Sequence, residues 1–264
     1  MKIQVLIENT TNTPGIIAEH GLSFYIETGS HKILFDMGQS AAFAQNAKMM
    51  GVDLSQVDIA ILSHGHYDHG GGLPEFLSLN EKAMVYVSRY AGEPHFSGER
   101  YIGLEEGLIK GDRFRLVEGH LQIDEQLSLV AFHHRERPFP MDCSGLKMKE
   151  KGQLIPEDFR HEQYLLIREK DKNVLISGCS HKGILNIMSW IQPDVLVGGF
   201  HFMKWDPASQ QGMRLLENAA QNLLAYKTRY YTCHCTGQAQ YTFLKDRMGE
   251  KLSYLSAADV IHIS

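Results

Sequence analysis

Short apolar runs punctuated by turn residues dominate the first third of the chain. Ile3–Ile7, Leu22–Ile26 and Lys32–Phe35 read as strands, the last closed by Asp36-Met37-Gly38. Ala41–Met50 is alanine-rich and reads as a helix, with Ser40 as its N-cap and Gly51 just past its end. Ile59–Leu62 is a fully apolar strand leading into Ser63 and His64; a short helix, Leu73–Leu79, and a strand, Met84–Val87, follow. From about residue 89 to 160 the pattern loosens around Pro94, Pro138, Pro140 and Pro156, with strand signals at Arg113–Val117 and Leu127–Phe132. That segment reads as a partly irregular insertion over one face. Regularity returns with a hairpin, Tyr164–Ile167 and Val174–Ser177, around the turn Glu169–Asn173. Helices at Gly183–Ile191, Pro207–Tyr226 and Gln238–Arg247 then alternate with strands at Val195–Val197 and Arg229–Thr232, and strand signals near Leu252–Leu255 and Val260–Ile263 end the chain. The succession predicts sheets packed together and covered by helices, a layered α/β fold in one domain spanning 1–264.

Composition narrows the function classes. At 264 residues, 43% hydrophobic and 22% charged, the chain suits a folded domain rather than a disordered or fibrous one. A formal charge of −5 argues against gripping a nucleic-acid backbone, and no apolar run is long enough to span a membrane. The opening Met1–Glu8 turns polar too soon for a secretory signal, and the four cysteines (Cys143, Cys179, Cys233, Cys235) read as reduced thiols, so a cytoplasmic location is expected. The 14 histidines, several beside Gly, Asp or Cys, make metal ligation worth testing.

The chemistry concentrates at strand ends. After the apolar strand comes His64-Gly65-His66-Tyr67-Asp68-His69, then Gly70-Gly71-Gly72. In extended backbone, positions two apart face the same way, so His64 and His66 can share one ion. Asp68 and His69, past the bend, can face a second with oxygen and nitrogen, a mixture that zinc, iron and manganese accept. A second strand end places Cys179 and His181 at a strand-to-helix turn, and a third carries Cys233-His234-Cys235. Cys179 reads either as a ligand thiolate or as a small buried strand-end residue.

His64-x-His66-x-Asp68-His69 resembles the signature of the metallo-β-lactamase fold superfamily. The resemblance implies a four-layer αββα sandwich along essentially the whole chain. Phe35-Asp36-Met37-Gly38 resembles the superfamily's first motif, whose Asp supports the metal loop by hydrogen bonds. Cys179 stands where the superfamily usually has an Asp bridging both ions, and His234 stands where its last ligand histidine does; Cys233 and Cys235 should then point away. Gly178-Cys179-Ser180-His181-Lys182-Gly183-Ile184, Gly198-Gly199-Phe200-His201 and His234-Cys235-Thr236-Gly237 resemble the branch of dihydropterin–ribofuranosylaminobenzene 5′-phosphate synthase-like proteins, many of them known only as hydrolases. The usual third-motif ligand has no clear counterpart: His181 is preferred, with His161, His133 and His134 as alternatives. His201 is placed like a histidine that assists the leaving group in the tRNA-processing branch, and reads equally as a satisfied core histidine.

These implications give two divalent cations, zinc first with iron or manganese as alternatives. His64, His66 and His181 hold one, and Asp68, His69 and His234 the other, with Cys179 shared. Asp68 and His201 are the catalytic candidates, one orienting the nucleophile and the other acting as general acid. The expected reaction is hydrolysis at a phosphoryl or acyl centre of a small, anionic substrate, met by some of Lys182, Arg135, Arg137 and Lys204, with Tyr67 lining the pocket or packing. Rival readings are a pterin-pyrophosphate transferase, a ligand sensor without turnover, and a di-iron redox protein, whose kind usually has Glu in place of His66. Neither nucleic acid nor membrane is an expected partner, and a homodimer is the default assembly.

Overall fold

A computed structural model of the chain describes residues 1–141, 143 and 145–264. Two seven-stranded sheets lie face to face. The first has the order Val260–His262, Lys2–Ile7, Ser23–Glu27, Lys32–Phe35, Ile59–Ile61, Met84–Ser88, Phe114–Val117. The second has the order Leu252–Tyr254, Arg229–Thr232, Val195–Val197, Lys172–Ile176, Tyr164–Glu169, Leu127–Val130, His120–Gln122. Each sheet changes from antiparallel to parallel pairing part-way across: Lys32–Phe35 through Phe114–Val117 run parallel in the first, and Lys172–Ile176 through Leu252–Tyr254 in the second.

Alternation along the strands builds the layers. One set of side chains, including Ile3, Phe24, Ile33 and Ile61 from the first sheet and Leu165, Ile167, Val174 and Val197 from the second, fills the space between the sheets. The intervening positions of the first sheet (Leu34, Ala60, Val85) pack against Phe43 and Ala47 of helix Ala42–Met49 and Phe76 of helix Leu73–Leu79. Those of the second sheet (Leu175, Leu196, Tyr230) pack against Ile187 of helix Ile184–Trp190, Leu216 of helix Gln210–Leu224 and Leu244 of helix Gln238–Met248. Helix, sheet, sheet and helix stack in that order, the αββα sandwich.

Several boundaries differ from the sequence reading for local reasons. Ala41, not Ser40, occupies the cap of the first helix, although the Ser40 hydroxyl still accepts the Ala42 N–H at 3.1 Å. At its other end Gly51, with φ +71, and buried Val52 donate back to Lys48 and Ala47, the two bonds of a Schellman stop. The hairpin strands run on to Glu169 and from Lys172, leaving a two-residue turn in which Lys170 takes φ +56, because the charged residues read as turn pair across the ladder at the solvent edge. The 89–160 segment contributes strands to both main sheets. It also forms a separate antiparallel sheet, Gln153–Pro156, Leu146–Glu150, His95–Ser97 and Arg100–Tyr101, whose short, half-exposed strands carry little apolar signal. Among the described residues, no helix is long and apolar enough to cross a membrane.

Candidate metal centre

The carboxyl ends of the parallel strands from both sheets meet at one edge of the sandwich, and the chemistry-bearing residues sit there. Lys32–Phe35 delivers Asp36, Ile59–Ile61 delivers His64, Lys172–Ile176 delivers Cys179 and His181, Val195–Val197 delivers His201, and Arg229–Thr232 delivers His234. Asp36, Ser180, His201 and His234 take positive φ values of 59, 57, 58 and 49°, so backbone strain is concentrated at these turns. Buried carboxylates hold the turns in place. Glu8 accepts the His234 N–H at 2.6 Å, and Glu162 accepts those of His181 at 2.6 Å and Lys182 at 3.0 Å.

Hydrogen bonds assign the histidine tautomers. Asp36 accepts from Ser63 N and Oγ and from His69 Nδ1, each at 2.7 Å. Because its own proton goes to Asp36, the Ser63 hydroxyl is the acceptor for His64 Nδ1 at 2.8 Å. His234 Nδ1 donates to Asn9 Oδ1 at 2.7 Å. Three imidazoles are therefore held with Nδ1 protonated and the Nε2 lone pair aimed inward. His69 and His234 face each other Nε2 to Nε2 at 3.2 Å, with Cys179 Sγ 3.2 Å from His69 Nε2 and Asp68 Oδ2 3.3 Å from His234 Nε2. His64 and His181 face each other in the same manner at 3.3 Å. The lone pairs of His69 and His234 cannot face each other in a buried site without positive charge between them, so that donor set fits a divalent cation; His181 Nδ1 has no hydrogen-bond partner among the described residues, and its Nε2 is placed to share a second with His64.

The ligand atoms sort into sets lying within 4.8 Å of one another: His64, Cys179 and His181; His69, Cys179 and His234; His20, Asp68 and His234; and His66, His95 and His161. Cys179 is common to the first two. His66 adjoins the His64 and His181 rings, 4.6 and 4.9 Å away, but sorts with His95 and His161. That last set is not equivalent to the others. His95 Nδ1 donates to Glu157 at 2.7 Å, which leaves its Nε2 as a lone pair. His161 Nδ1 instead accepts the Gly65 N–H at 2.8 Å, which puts its hydrogen on Nε2. A neutral His161 is thus a donor toward this set and anchors the backbone between His64 and His66. Gly65 has no room for a side chain there, since a Cβ would stand 2.1 Å from the Ala91 carbonyl.

Electrostatics follow the same division. Burial, reinforced by His69 and other neighbouring imidazoles, holds His64 well below the usual imidazole range, and burial and its neighbours do the same to His66 and His181. Burial pulls His234 down to about 4 despite its Asp68 partner. Burial works against ionising Asp68, but His69, His20 and His234 outweigh it and keep the carboxyl well below its ordinary value. His69 is raised because Asp36 and Asp68 overcome its desolvation. Burial pushes the Cys179 thiol up, and the adjacent Cys235 adds to this, so ligation requires a cation to displace the thiol proton.

A cavity of about 220 Å³ opens onto these atoms, lined by His20, His66, Asp68, Cys179, His181, His201 and His234 among others. The His201 ring lies 4.3 Å from that of His181. Tyr67 lines the cavity and is bonded through its hydroxyl to Arg100. Of the four basic residues read as substrate contacts, Lys204 lines the cavity. Lys182 is buried, donating to the Ala131 and Glu162 carbonyls, Arg137 donates to the Asp158 carbonyl, and Arg135 lies over Phe132. His133 packs its ring against Tyr90 and lines, with His134, a different cavity. Cys233 packs between the sheets, while Cys235 Sγ donates to the Cys179 carbonyl at 3.4 Å and reaches the cavity wall. Sequence reasoning missed His20, His95, Arg100, the half-buried Asn9 and the buried anchors Glu8, Glu157 and Glu162.

The profile of the metallo-beta-lactamase superfamily matches residues 17–137, a span containing the histidine motif. The crystal structure of Tm1679, described as a metal-dependent hydrolase of the beta-lactamase superfamily, superposes over 100% of this chain and 99% of its own, with 29% identity and a TM-score of 0.82. Both matches are to the metallo-beta-lactamase superfamily, and the chain has that superfamily's fold. The chain is also 27% identical to the 7,8-dihydropterin-6-methyl-4-(beta-D-ribofuranosyl)-aminobenzene-5′-phosphate synthase of Methanocaldococcus jannaschii, over 99% of this chain and 96% of that protein. It is also 28% identical to the MJ0448 protein of the same organism, over 76% of this chain and 79% of that one. Metallo-beta-lactamase superfamily proteins usually bind divalent metals, and the His, Cys and Asp sets at this strand edge are ones that can hold them.

Proposed function

We propose that the protein is a metal-dependent hydrolase acting at a phosphoryl or acyl centre of a small molecule. The observation that carries this reading is the pair of lone pairs on His69 and His234, facing each other at 3.2 Å with Asp68 and Cys179 alongside. In this reading His64, Cys179 and His181 hold one cation, with His66 beside them, and His69, Cys179, His234 and Asp68 hold the other. Bound there, divalent cations, zinc foremost, supply Lewis acidity to the reacting oxygen and acidify water near neutral pH. Asp68, kept ionised by its imidazole neighbours, accepts a hydrogen from the attacking water and orients it. His201, on the cavity wall beside His181, gives a proton to the leaving group. The buried carboxylates Glu8 and Glu162 hold the His234 and His181 turns through their backbone N–H groups, so that both rings are oriented before substrate arrives. The test is turnover of a generic phosphodiester and a lactone by the native protein and by His66→Ala and Asp68→Ala. Turnover and metal content both unchanged in the variants would refute the reading.

A transferase is the second reading, favoured by the 27% identity that extends over 99% of this chain to the M. jannaschii synthase. Incubation with a dihydropterin pyrophosphate and an aminobenzene riboside phosphate separates the two, since a transferase of that type releases pyrophosphate and a hydrolase consumes only water.

A further inference from the structure

Two thiols meet on the wall of the metal-site cavity, from two strand-end turns of the second main sheet. Cys179 follows strand Lys172–Ile176, and Cys235 lies in the short turn His234–Thr236 after strand Arg229–Thr232. Cys235 Sγ donates to the Cys179 carbonyl at 3.4 Å, and the two side chains are themselves hydrogen-bonding neighbours. Gly199, past the end of the strand between these two, leaves the room for this approach: a Cβ there would stand 2.3 Å from Cys235 Sγ and 3.0 Å from the Gly178 carbonyl oxygen. The other cysteines are placed differently. Cys233 is buried between the sheets, and Cys143 packs beside Ile102, Leu146 and Phe159 and donates to the Glu157 carbonyl. All four are free thiols, but Cys179 and Cys235 together border a cavity of about 220 Å³ that admits a small oxidant. The same two turns carry His181 and His234, so a bond between the sulfurs joins the backbones that hold both rings.

We propose that Cys179 and Cys235 form a reversible disulfide when a hydroperoxide enters the cavity, and that this withdraws the sulfur common to both cation gaps. Loss of metal rests on the reading of Cys179 as a shared ligand; the cross-link rests only on the pairing of the thiols. The Cys179 thiolate attacks one peroxide oxygen and the O–O bond breaks, leaving a sulfenic acid on Cys179 and an alkoxide, or hydroxide from hydrogen peroxide, that takes a proton from solvent. The Cys235 sulfur then attacks the Cys179 sulfur, the S–O bond breaks, and the hydroxyl departs as water with the Cys235 proton. The two sulfurs are oxidised and the peroxide is reduced. Cys235 is thus a resolving thiol. Without it the sulfenic acid stays open to further peroxide and passes to sulfinic acid, which thiols do not reduce.

The test is peptide mapping of zinc-loaded protein treated with hydrogen peroxide, with released zinc read by a chromogenic chelator, for the native chain, Cys235→Ser and Cys235→Ala. Thermal midpoint and zinc content before oxidation establish that each variant is folded and loaded. The native chain is expected to give a peptide pair cross-linked through Cys179 and Cys235, to lose both thiols and to release zinc, and dithiothreitol with fresh zinc should reverse all three. In the variants Cys179 is expected to reach sulfinic acid, so that zinc binding does not return on reduction. Mapping of the native chain decides the pairing whether or not the variants fold. Absence of the cross-link there overturns the proposal, and with zinc content unchanged leaves the proposed metal centre standing. Oxidation of Cys179 as reversible in the folded variants as in the native chain also overturns it. A cross-link that forms with all zinc retained overturns the withdrawal of a ligand, and with it the place of Cys179 in the proposed centre.

Discussion

Asp36 and His69 are joined by a 2.7 Å hydrogen bond between a fully buried carboxylate and Nδ1 of a fully buried imidazole, and the same carboxylate orients His64 through the Ser63 hydroxyl. One side chain thereby fixes the tautomers of two inward-facing histidines in different gaps. Asp36→Asn keeps the shape and tolerates the positive φ but removes the charge. Metal affinity, measured by chelator competition, is expected to fall roughly 10- to 100-fold. Unchanged affinity would show that the tautomers are set some other way.

The tautomer assignment also separates His181 from His161. His161 spends its Nδ1 lone pair on the Gly65 N–H, so His161→Gln, which can still accept that bond, is expected to retain the native metal stoichiometry. His181→Gln is expected to lose metal, because its Nε2 faces His64 at 3.3 Å. Equal loss in both variants, measured on folded protein, would make His161 a ligand.

Gly178 shows how closely the two sheets approach at this edge. A Cβ there would stand 2.2 Å from Ser63 Oγ and 3.2 Å from His64 Nδ1, against the hydroxyl that relays Asp36 to His64. Gly178→Ala is expected to cost about 1–3 kcal/mol in chemical denaturation and to weaken metal binding. Gly29→Ala, where nothing lies within 4 Å, is the control and should stay within about 0.5 kcal/mol of native. Similar stability for the two variants would contradict the close approach.

His133 supplies a pH dependence away from the metal site. Burial, helped by Lys182 and His134, holds it at about 4 against an ordinary 6.5, and neither ring nitrogen has a hydrogen-bond partner among the described residues. As pH falls below about 6.5 the unfolded chain takes up this proton before the folded chain does, so stability present above that pH is lost on acidification. His133→Leu removes the dependence without removing a hydrogen bond. The stability of native protein relative to this variant is expected to fall between pH 7 and about pH 5; a constant difference would show that His133 titrates normally.

What the sequence made legible was local. Apolar strands ending in His64, Cys179 and His234 could be read because each strand and its ligand lie within ten residues, and a motif such as His64 to His69 needs no partner to be seen. Anchors supplied by sheet pairing could not be read. Glu8 reaches His234 across 226 residues, Asn9 across 225, and Glu162 resembles any other charged residue before a strand until the second sheet brings its carboxylate against the His181 turn. Lys182 illustrates the opposite error. A lysine beside a candidate ligand reads as a substrate contact, yet it is buried and spends its ammonium on two backbone carbonyls, with burial pulling its pKa down to about 8. Arg100 went unread because it sits on a two-residue exposed strand with no apolar signature.

The account rests on positive charge filling the gaps between facing imidazoles, and metal stoichiometry tests that most directly. Elemental analysis of native protein purified without chelator is predicted to find about two divalent ions per chain. Finding no bound divalent metal, in folded protein exposed to zinc, iron and manganese, would contradict it.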